Sequence, residues 1–221
     1  MPVDTADFHC WYSADLDSAR QKGRLLLQKF GRFLRGRVVD LGCGEGAFLL
    51  ALMERGNQDV LGIESNAELV KLAESLNVPV IQKDLLQFLR ERKVEIATYL
   101  YIDVIEHVPF EYNIELLRII PVGSRLIIQT PNTESLLGHQ FYLNVPSHLA
   151  PYSPVVIRRI LARFGYDIVS EGSVDGRHPD SWKRKLRVLF VQKVLGIPEE
   201  MIVGGGNYFV VADRSRDGGA C

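Results

Sequence analysis

Apolar residues follow two patterns along this chain: short continuous runs rich in β-branched residues, and longer stretches in which they recur at helical spacing. The short runs predict seven strands, over residues 38–41, 59–64, 80–82, 96–102, 125–129, 166–171 and 208–212. The longer stretches predict helices over residues 18–35, 47–55, 67–76 and 153–164. Strands without polar alternation are typical of parallel sheets that are buried on both faces. The pattern therefore predicts an α/β fold with a doubly wound, seven-stranded, mostly parallel sheet.

The composition is that of a globular domain with balanced charge. The 221 residues are 47% hydrophobic, and 26 basic against 27 acidic side chains leave a net charge of −1. A nucleic-acid-binding protein usually carries a basic excess, so we expect no nucleic-acid partner. We place the main domain at residues 36–212, after an N-terminal segment and helix (1–35) that covers the site and before a flexible tail (213–221).

The cysteines and the first residues bear on the compartment. Cys10, Cys43 and Cys221 have neither the number nor the spacing of a disulfide framework or a zinc site. The chain begins with acidic and aromatic residues where a signal peptide has a basic stretch and then an apolar run. All apolar runs are shorter than the about 18 residues that a membrane span requires. We therefore expect a cytoplasmic protein.

A glycine-rich turn, GCGEG, joins the first predicted strand to the next helix. With Ala47 it fits the dinucleotide-binding pattern G-x-G-x-x-G/A loosely, and a turn that binds no ligand is the simpler alternative. Asp40 argues against a dinucleotide, because a carboxylate beside the turn would repel a pyrophosphate. It would suit a ligand with a cationic amine. S-adenosylmethionine (SAM), which carries an ammonium, a sulfonium and an adenosine but no phosphate, is such a ligand.

Further carboxylates follow the next predicted strands. Glu64 ends the second strand, where a carboxylate can accept hydrogen bonds from both hydroxyls of a ribose. Asp84 and Leu85 follow the third strand and could contact the amino group and ring face of an adenine; a helix cap is the alternative for Asp84. Asp103 follows the fourth strand. Ligands of such sheets bind at the carboxyl ends of the strands, so these residues predict a site there.

Five motifs resemble those of the class I SAM-dependent methyltransferases. They are VVDLGCGEG, GIES, KDLL, YIDVIEHVP and IIQTPN, and they follow one another in that order between about residues 35 and 170. The resemblance implies an enzyme with the Rossmann-like methyltransferase fold and SAM as its cofactor. The cofactor-binding residues that it implies are Asp40, Gly42, Cys43, Gly44, Glu64, Ser65, Asp84, Leu85 and Asp103.

A second resemblance concerns the acceptor. Residues 140–151, QFYLNVPSHLAP, are similar to the F-Y-L-D-P-T-H-x-x-P segment of methyltransferases encoded with bacterial surface-polysaccharide genes, although Asn144 replaces the aspartate and Val145 stands as an extra residue. This resemblance implies O-methylation of a glycan, sugar-phosphate or glycolipid acceptor in polysaccharide biosynthesis. A small-molecule, quinone-type O-methyltransferase is the alternative among enzymes. A SAM- or nucleotide-binding module without catalysis is the alternative from another class.

Two histidines are candidates for the base that receives the acceptor proton. His107 comes just after the fourth predicted strand, and His148 lies in a loop after the fifth. A positioned histidine typically contributes about 10²–10⁴-fold to a rate. The alternative for each is structural, as a residue that caps or packs at a helix start (His107) or that holds a loop (His148).

Asp103, Glu106 and His107 also have the spacing of a metal patch. They resemble the divalent-cation site of ubiquinone-pathway O-methyltransferases and that of small-RNA 2′-O-methyltransferases, in which glutamate stands at the position of Asp103. Aspartate is one methylene shorter, so we predict that no metal binds here.

Residues 181–196 predict a basic amphipathic helix. Its basic residues are Lys183, Arg184, Lys185, Arg187 and Lys193, and its apolar residues are Trp182, Leu186, Leu189, Phe190 and Val194. The simple interpretation is a solvated helix that packs on the domain. Alternatively, Trp182–Leu195 contacts anionic lipid at the inner membrane face, or it joins two copies of an otherwise monomeric protein into a homodimer.

Overall fold

The computed structural model describes residues 16–91, 96–174 and 205–216. Within them the strands are β1 (Val38–Leu41), β2 (Val60–Glu64), β3 (Val80–Gln82), β4 (Thr98–Ile102), β5 (Arg125–Pro131), β6 (Tyr166–Val174) and β7 (Asn207–Arg214). The helices are α1 (Leu16–Phe30), α2 (Ala47–Glu54), α3 (Ala67–Ser75), α4 (Leu85–Glu91), α5 (Phe110–Ile119), α6 (Leu136–Leu143) and α7 (Pro154–Arg163).

The strands form one seven-stranded sheet in the order β3-β2-β1-β4-β5-β7-β6. The pairs β2–β3, β1–β2, β1–β4 and β4–β5 are parallel, and β7 runs antiparallel to both β5 and β6. The predicted α/β fold with a mostly parallel, seven-stranded sheet is therefore confirmed. The strand order reverses between β1 and β4, so the crevice at their carboxyl ends is the topological switch point where such folds bind ligands.

Helices cover both faces of this sheet. Tyr99 and Tyr101 of β4 belong to the apolar cluster that includes α4, α5 and α7. Leu100, between them, belongs to the cluster on the other face, which includes α1, α2 and part of α3. All three side chains are completely buried. Burial on both faces is the reason that the strands appear in the sequence as continuous apolar runs.

Helix α1 ends earlier than its sequence pattern predicts. The apolar periodicity continues to Arg35, but the α-helix stops at Phe30 and one 3-10 turn, Gly31–Phe33, follows it. Arg35 then bonds β4 through its backbone: its N–H donates to Thr98 Oγ1 at 3.0 Å, and its carbonyl accepts from the same hydroxyl at 2.8 Å. This tertiary contact requires an extended chain before Arg35 and so overrides the helical periodicity.

The sequence pattern predicts none of α4, α5 and α6, and three of its other predictions cannot be fully compared with the structure. Residues 1–15 of the N-terminal segment and the basic segment 181–196 lie outside the described residues, as does the end of the chain after residue 216. Among the residues that the structure does describe, no helix is long and apolar enough to cross a membrane.

Candidate active site

Four acidic side chains stand at one edge of the sheet, where β3, β2, β1 and β4 end side by side. Glu64 is the last residue of β2, Asp84 comes two residues after β3, and Asp103 directly follows β4. Asp40 lies inside β1, whose bounds are those of the predicted strand over residues 38–41. The predicted gathering of these carboxylates at one edge is therefore present in the fold.

The turn after β1 depends on left-handed backbone at its glycines. Gly42, Gly44 and Gly46 have φ values of 81°, 55° and 76°. The N–H groups of Gly42 and Cys43 both donate to the carbonyl oxygen of Ile63, at 2.8 and 3.1 Å, which ties the turn to β2. A side chain at Gly42 would also collide with Val104, since its Cβ would lie 2.7 Å from a methyl carbon. The turn thus leaves room for a ligand only if these glycines are kept.

Backbone donors hold Glu64 in place beside that turn. Its Oε2 accepts from the N–H of Gly44 at 3.0 Å, and its Oε1 accepts from the N–H groups of Ser65 and Asn66 at 2.8 and 2.9 Å. The side chain is buried. Its orientation is consequently fixed by the protein before any ligand arrives.

Asp40 is a buried carboxyl group with an unusual titration. Its pKa is raised from 3.8 to about 7: burial is the largest cause, the charge of Lys22 opposes it, and the charges of Glu64 and Glu45 add to it. Its carboxylate accepts no hydrogen bond from the residues that the structure describes. A cationic ligand would stabilise the charged form of this buried carboxylate and would therefore lower its pKa again.

Sequence reasoning missed Lys22 and Glu45, which complete this end of the site. Glu45 is 1% exposed, its Oε1 lies 3.0 Å from Lys22 Nζ, and its buried Oε2 has no partner among the described residues. Glu45 could have been noticed because it stands inside the glycine turn. Lys22 gives no such signal, since only the docking of α1 brings it there.

The other predicted cofactor residues have varied surroundings. Cys43 is a partly buried thiol whose pKa is raised well above its usual value by burial and then by the charges of Asp40 and Glu64, so it is a poor nucleophile. Leu85 is buried in the first turn of α4. Ser65 contributes its backbone, as a donor to Glu64 and, at 3.5 Å, as an acceptor from Gln82.

Asp84 has the capping role that was the alternative to adenine binding. Its Oδ1 accepts from the N–H of Gln87 at 2.9 Å, in the first turn of α4, and its Oδ2 accepts from the hydroxyl of Tyr112 at 2.8 Å. That hydroxyl in turn accepts from the N–H of Leu86 at 3.1 Å. The cap orients Asp84, and its contact with an adenine stays a prediction.

Asp103 adopts a left-handed backbone, with φ at 55°, which is uncommon for a residue with a side chain. The side-chain amide of Gln129 on β5 donates to both of its carboxylate oxygens, at 3.1 and 3.0 Å. The backbone N–H of Asp103 donates to the Gln129 carbonyl at 2.9 Å. Gln129 therefore fixes Asp103 at the end of β4, and the sequence gives no sign of this partner.

The structure brings the two predicted histidines together. Their ring centroids are 4.6 Å apart, with the planes at 62°. Nδ1 of His148 lies 2.7 Å from the carbonyl oxygen of Tyr142, so it is the protonated nitrogen of this ring, and the ring of Tyr142 stacks on it. His107 Nδ1 lies 3.1 Å from Ser147 Oγ. Burial lowers the pKa of His148 below its ordinary 6.5, which keeps its Nε2 unprotonated at neutral pH.

Glu106 lies beneath the histidines and is fully buried. Its Oε2 accepts from Thr130 Oγ1 at 2.9 Å, and its backbone carbonyl accepts from the N–H of Leu149 at 2.8 Å. Burial, followed by the charge of Asp103, raises the pKa of Glu106 well above its usual range, which favours the neutral form of this carboxyl group. The bond to Leu149 joins the histidine-bearing loop to the end of β4.

The residues that could hold a metal ion differ from the predicted set. Ligand atoms of Glu106, His107 and His148 lie within 4.8 Å of one another, and these are the metal-ligating groups that cluster among the described residues. Asp103 is not among them, because its carboxylate is bound to Gln129. His148, which takes the place of Asp103 in this cluster, comes from a distant loop that spacing along the chain does not bring near.

A buried asparagine holds the segment that carries His107. The Asn113 side-chain amide donates to the carbonyl of Ile105 at 2.9 Å and to the hydroxyl of Tyr152 at 2.8 Å, and its oxygen accepts from the hydroxyl of Tyr101 at 2.7 Å. All of these polar groups are paired inside the core, which is the condition for burying them without a large cost. No sequence motif pointed to Asn113.

A family model described as a methyltransferase domain matches residues 16–171 of this chain. The chain belongs to that family. Compared by sequence with curated proteins, this methyltransferase has no significant match. The matched range contains both the glycine turn and the paired histidines.

Solved structures resemble this methyltransferase over most of its length. A SAM-dependent methyltransferase from Archaeoglobus fulgidus has a TM-score of 0.67 and 22% identity, and the match covers 88% of this chain and 94% of that one. A possible histamine N-methyltransferase from Thermotoga maritima has a TM-score of 0.63 and 16% identity, with 96% of each chain covered. Magnesium protoporphyrin IX methyltransferase from Synechocystis PCC 6803, with bound SAM, has a TM-score of 0.56 and 17% identity, covering 90% of this chain and 79% of that one.

The family and the fold together confirm the prediction of an enzyme, a SAM-dependent methyltransferase with the Rossmann-like fold of that class. SAM is its cofactor. The acceptor, and the role of each candidate site residue, are matters of proposal.

Proposed function

We propose that this methyltransferase transfers the methyl group of SAM to a hydroxyl oxygen, with His148 as the base that receives the hydroxyl proton. The observation that supports this proposal is the bond from His148 Nδ1 to the Tyr142 carbonyl, at 2.7 Å. It commits Nδ1 to donation and leaves Nε2 as an acceptor. A hydroxyl acceptor needs such a group, whereas an amine with a free electron pair does not.

Other contacts keep the ring of His148 in place. Tyr142 stacks on one face, and the edge of His107 meets the ring at 4.6 Å between centroids. The carboxyl group of Glu106 lies 4.0 Å from Nε2, and because burial raises the pKa of that carboxyl group, it favours a protonated imidazole less than an ordinary carboxylate would. His107 is a positioning residue in this proposal, because its own Nδ1 is engaged with Ser147.

SAM supplies a methyl carbon that its sulfonium already activates. The acceptor oxygen forms the new C–O bond as the C–S bond breaks, its proton passes to Nε2 of His148, and S-adenosylhomocysteine leaves as a neutral thioether. The protein mainly has to align oxygen, carbon and sulfur, which can lower the barrier by roughly 7–11 kcal/mol.

We propose that the carboxylates at the sheet edge hold the cofactor. Asp40 pairs with the ammonium, and Glu64 accepts from the ribose hydroxyls with the orientation that Gly44 and Ser65 give it. Gly42 and Cys43 line the turn against the methionyl chain, Asp84 and Leu85 contact the adenine, and Asp103 closes the end of β4.

The surface near the histidines favours an acceptor with an apolar part. Phe141 and Leu143 of α6, together with Leu149 beside His148, are 41%, 65% and 59% exposed. Exposed apolar side chains grouped around a site commonly mark a binding surface. We therefore propose a glycolipid or lipid-linked sugar within the glycan class, and the same observation supports the second candidate, a quinone-type phenol. A free sugar phosphate remains a third acceptor for the same test.

The decisive experiment measures S-adenosylhomocysteine release with a panel of glycans, sugar phosphates, lipid-linked sugars and quinone-type phenols. With the accepted substrate, His148→Ala is expected to lower kcat at pH 7 by about 10²–10⁴-fold, while the Kd for SAM changes less than twofold. Because burial lowers the pKa of His148 from its ordinary 6.5, the wild-type kcat should fall only as the pH drops below 6.5.

The matched control is His139→Ala, which removes an exposed histidine of α6. It should keep the wild-type kcat. A His148→Ala enzyme with more than a tenth of wild-type kcat would show that His148 is not the base. SAM binding without turnover across the panel would favour a non-catalytic module, and loss of activity on addition of EDTA would show that Glu106, His107 and His148 act as metal ligands instead.

A further inference from the structure

We propose that Lys22 of α1 binds the carboxylate of the methionyl group of SAM, and that Glu45 holds Lys22 ready for that contact. This concerns the donor site and does not depend on which acceptor the enzyme uses. It adds a binding residue from outside the glycine turn and the strand ends.

The methionyl group of SAM carries two opposite charges. An amino acid carries its ammonium and its carboxylate on one carbon, so the two charges of the methionyl group lie close together. A site whose other charged groups are Asp40, Glu45 and Glu64 suits the ammonium and repels the carboxylate. A cation near Asp40 would offset this repulsion and strengthen binding.

Lys22 is the cation in that position. It is the basic residue whose charge acts on buried Asp40, and its Nζ lies 3.0 Å from Glu45 Oε1. Its side chain is 49% exposed, whereas that of Glu45 is 2% exposed. The ammonium of Lys22 thus lies at the boundary between the acidic interior and solvent, where it can meet a second carboxylate without leaving the first.

Glu45 Oε2 is buried and has no hydrogen-bond partner among the described residues. A buried carboxylate with half of its acceptors unused is costly unless a strong cation compensates it. Glu45 is consequently suited to hold Lys22 rather than to bind the ligand itself.

The packing of α1 against the start of α2 places Lys22. Its neighbour Gly23 lies directly against the first residue of α2, and a Cβ there would be 2.1 Å from the carbonyl oxygen of Ala47. Ala47 immediately follows the glycine turn. The absence of a side chain at Gly23 therefore lets α1 reach the turn, so that the preceding residue, Lys22, contacts Glu45.

The test compares two ligands that differ in one group: S-adenosylhomocysteine, and its decarboxylated analogue, which has the same adenosine, sulfur and amine. Isothermal titration calorimetry gives the Kd of each. In the Lys22→Met enzyme, the Kd for S-adenosylhomocysteine should rise about tenfold or more, since a charge-assisted bond is lost. The Kd for the decarboxylated analogue should change less than twofold, and Lys22→Arg should stay within threefold of wild type for both.

Arg24→Met is the matched control, because it removes a charge of the same sign from an exposed position on the same helix. It should leave both Kd values unchanged. The contact is supported if Lys22→Met raises the Kd for S-adenosylhomocysteine by a factor at least three times larger than the factor for the analogue. A smaller difference overturns it and assigns Lys22 a structural role.

A second variant distinguishes direct contact between Lys22 and the ligand carboxylate from an indirect effect of leaving Glu45 without its partner. In Lys22→Met with Glu45→Gln, residue 45 no longer carries a buried charge that has lost its partner, so the double variant is a check against misfolding of the single variant. If Lys22 binds the carboxylate, the double variant still discriminates poorly between the two ligands. Restored wild-type discrimination would overturn the proposal. Since no acceptor is present, this result stands apart from the test of His148.

Discussion

At the scale of single residues, Asp40 illustrates a conflict between stability and binding. Its pKa of about 7 in the folded protein, against 3.8 for an ordinary aspartate, results first from burial and then from nearby Glu64 and Glu45, which the charge of Lys22 only partly offsets. The folded protein therefore holds this proton more tightly than the unfolded chain does. From this group, the free energy of unfolding falls as the pH rises from about 4 to about 7.

We predict that Asp40→Asn raises Tm at pH 8 and weakens SAM binding at least tenfold. The amide cannot ionise, so the cost of a buried charge above pH 7 disappears, and so does the partner of the ligand ammonium. A Tm rise of a few degrees is expected, since about 1 kcal/mol corresponds to roughly 2–4 °C in a protein of this size. Thermal unfolding at pH 5 and pH 8, together with SAM titrations, measures both effects.

Asp167→Asn, at an exposed position on β6, is the control for that substitution. Wild-type Tm should fall between pH 5 and pH 8 more than the Tm of Asp40→Asn does. If the two proteins lose stability in parallel over this range, Asp40 does not carry the titration that its burial implies. Retained SAM affinity would separately remove Asp40 from the donor site.

Residue types and spacing predicted much of this site, but only the part that lies close along the sequence. Asp40, Glu64 and the glycines between them follow from one strand–turn–helix unit and the strand after it. Lys22 and Gln129 reach the site from a helix and a strand that are distant in sequence, so no local pattern identifies them. His148 was found by its motif, but its contact with His107 needed the fold.

At the scale of elements, the contact between α1 and α2 links the fold to the donor site. Gly23→Ala should lower the free energy of unfolding by about 1–3 kcal/mol, as overpacking of a tight contact does. The new Cβ would meet the Ala47 backbone at 2.1 Å, and a carbonyl oxygen cannot rotate away as a side chain can. If α1 positions Lys22, the Kd for SAM should also rise. Urea unfolding and titration calorimetry test the two effects.

Gly31→Ala provides the comparison. Its Cβ would meet only the flexible side chain of Leu27, at 3.0 Å, so we expect less than half of the Gly23→Ala effect and no change in SAM affinity. Equal destabilisation by the two substitutions would mean that helix propensity, rather than the approach of α1 to α2, decides the stability of this region.

The helices that the sequence pattern failed to predict were missed for a common physical reason. Helix α6 has eight residues and contains Gly138, whose missing side chain lets the helix pack against the backbone of Asn132, where a Cβ would be 2.2 Å from an oxygen. In α5, the polar Asn113 occupies a core position because it bonds three neighbours. Such helices depend on tertiary contacts more than on an apolar stripe, so periodicity does not reveal them.

At the scale of the whole molecule, the seven strands were predictable but their order was not. Pairing of β5 with β7, and of β7 with β6, inserts the last strand of the chain between two earlier ones. The balance of 26 basic and 27 acidic residues likewise conceals a local acidic edge where four strands end. The strand order depends on which distant segments meet, which periodicity does not show. The acidic edge was predicted, because each of its carboxylates stands at or near the end of a predicted strand.

Asp213 of β7 joins three distant parts of the chain and should dominate the acid sensitivity of the fold. Arg125 of β5 donates to both of its oxygens, at 2.8 and 2.9 Å, and Arg35, after α1, donates at 3.0 Å. The hydrogen bond from Arg125 is the main cause of the lowered pKa of Asp213. We predict that Asp213→Asn lowers the free energy of unfolding at pH 7 by about 1–3 kcal/mol, measured by urea denaturation.

The pH dependence distinguishes this charge network from simple loss of packing. Since the folded pKa of Asp213 is depressed, its contribution is complete above the pKa of an unfolded carboxyl and disappears as the pH falls through the folded value. The difference in stability between wild type and Asp213→Asn should therefore shrink as the pH falls below 3.8, the ordinary pKa of an aspartate. Asp59→Asn, which disrupts an exposed pair with Arg37 at 3.7 Å, should change stability by less than about 0.5 kcal/mol. A difference for Asp213→Asn that is as large at pH 3 as at pH 7 would show that shape, not charge, holds β7 to β5.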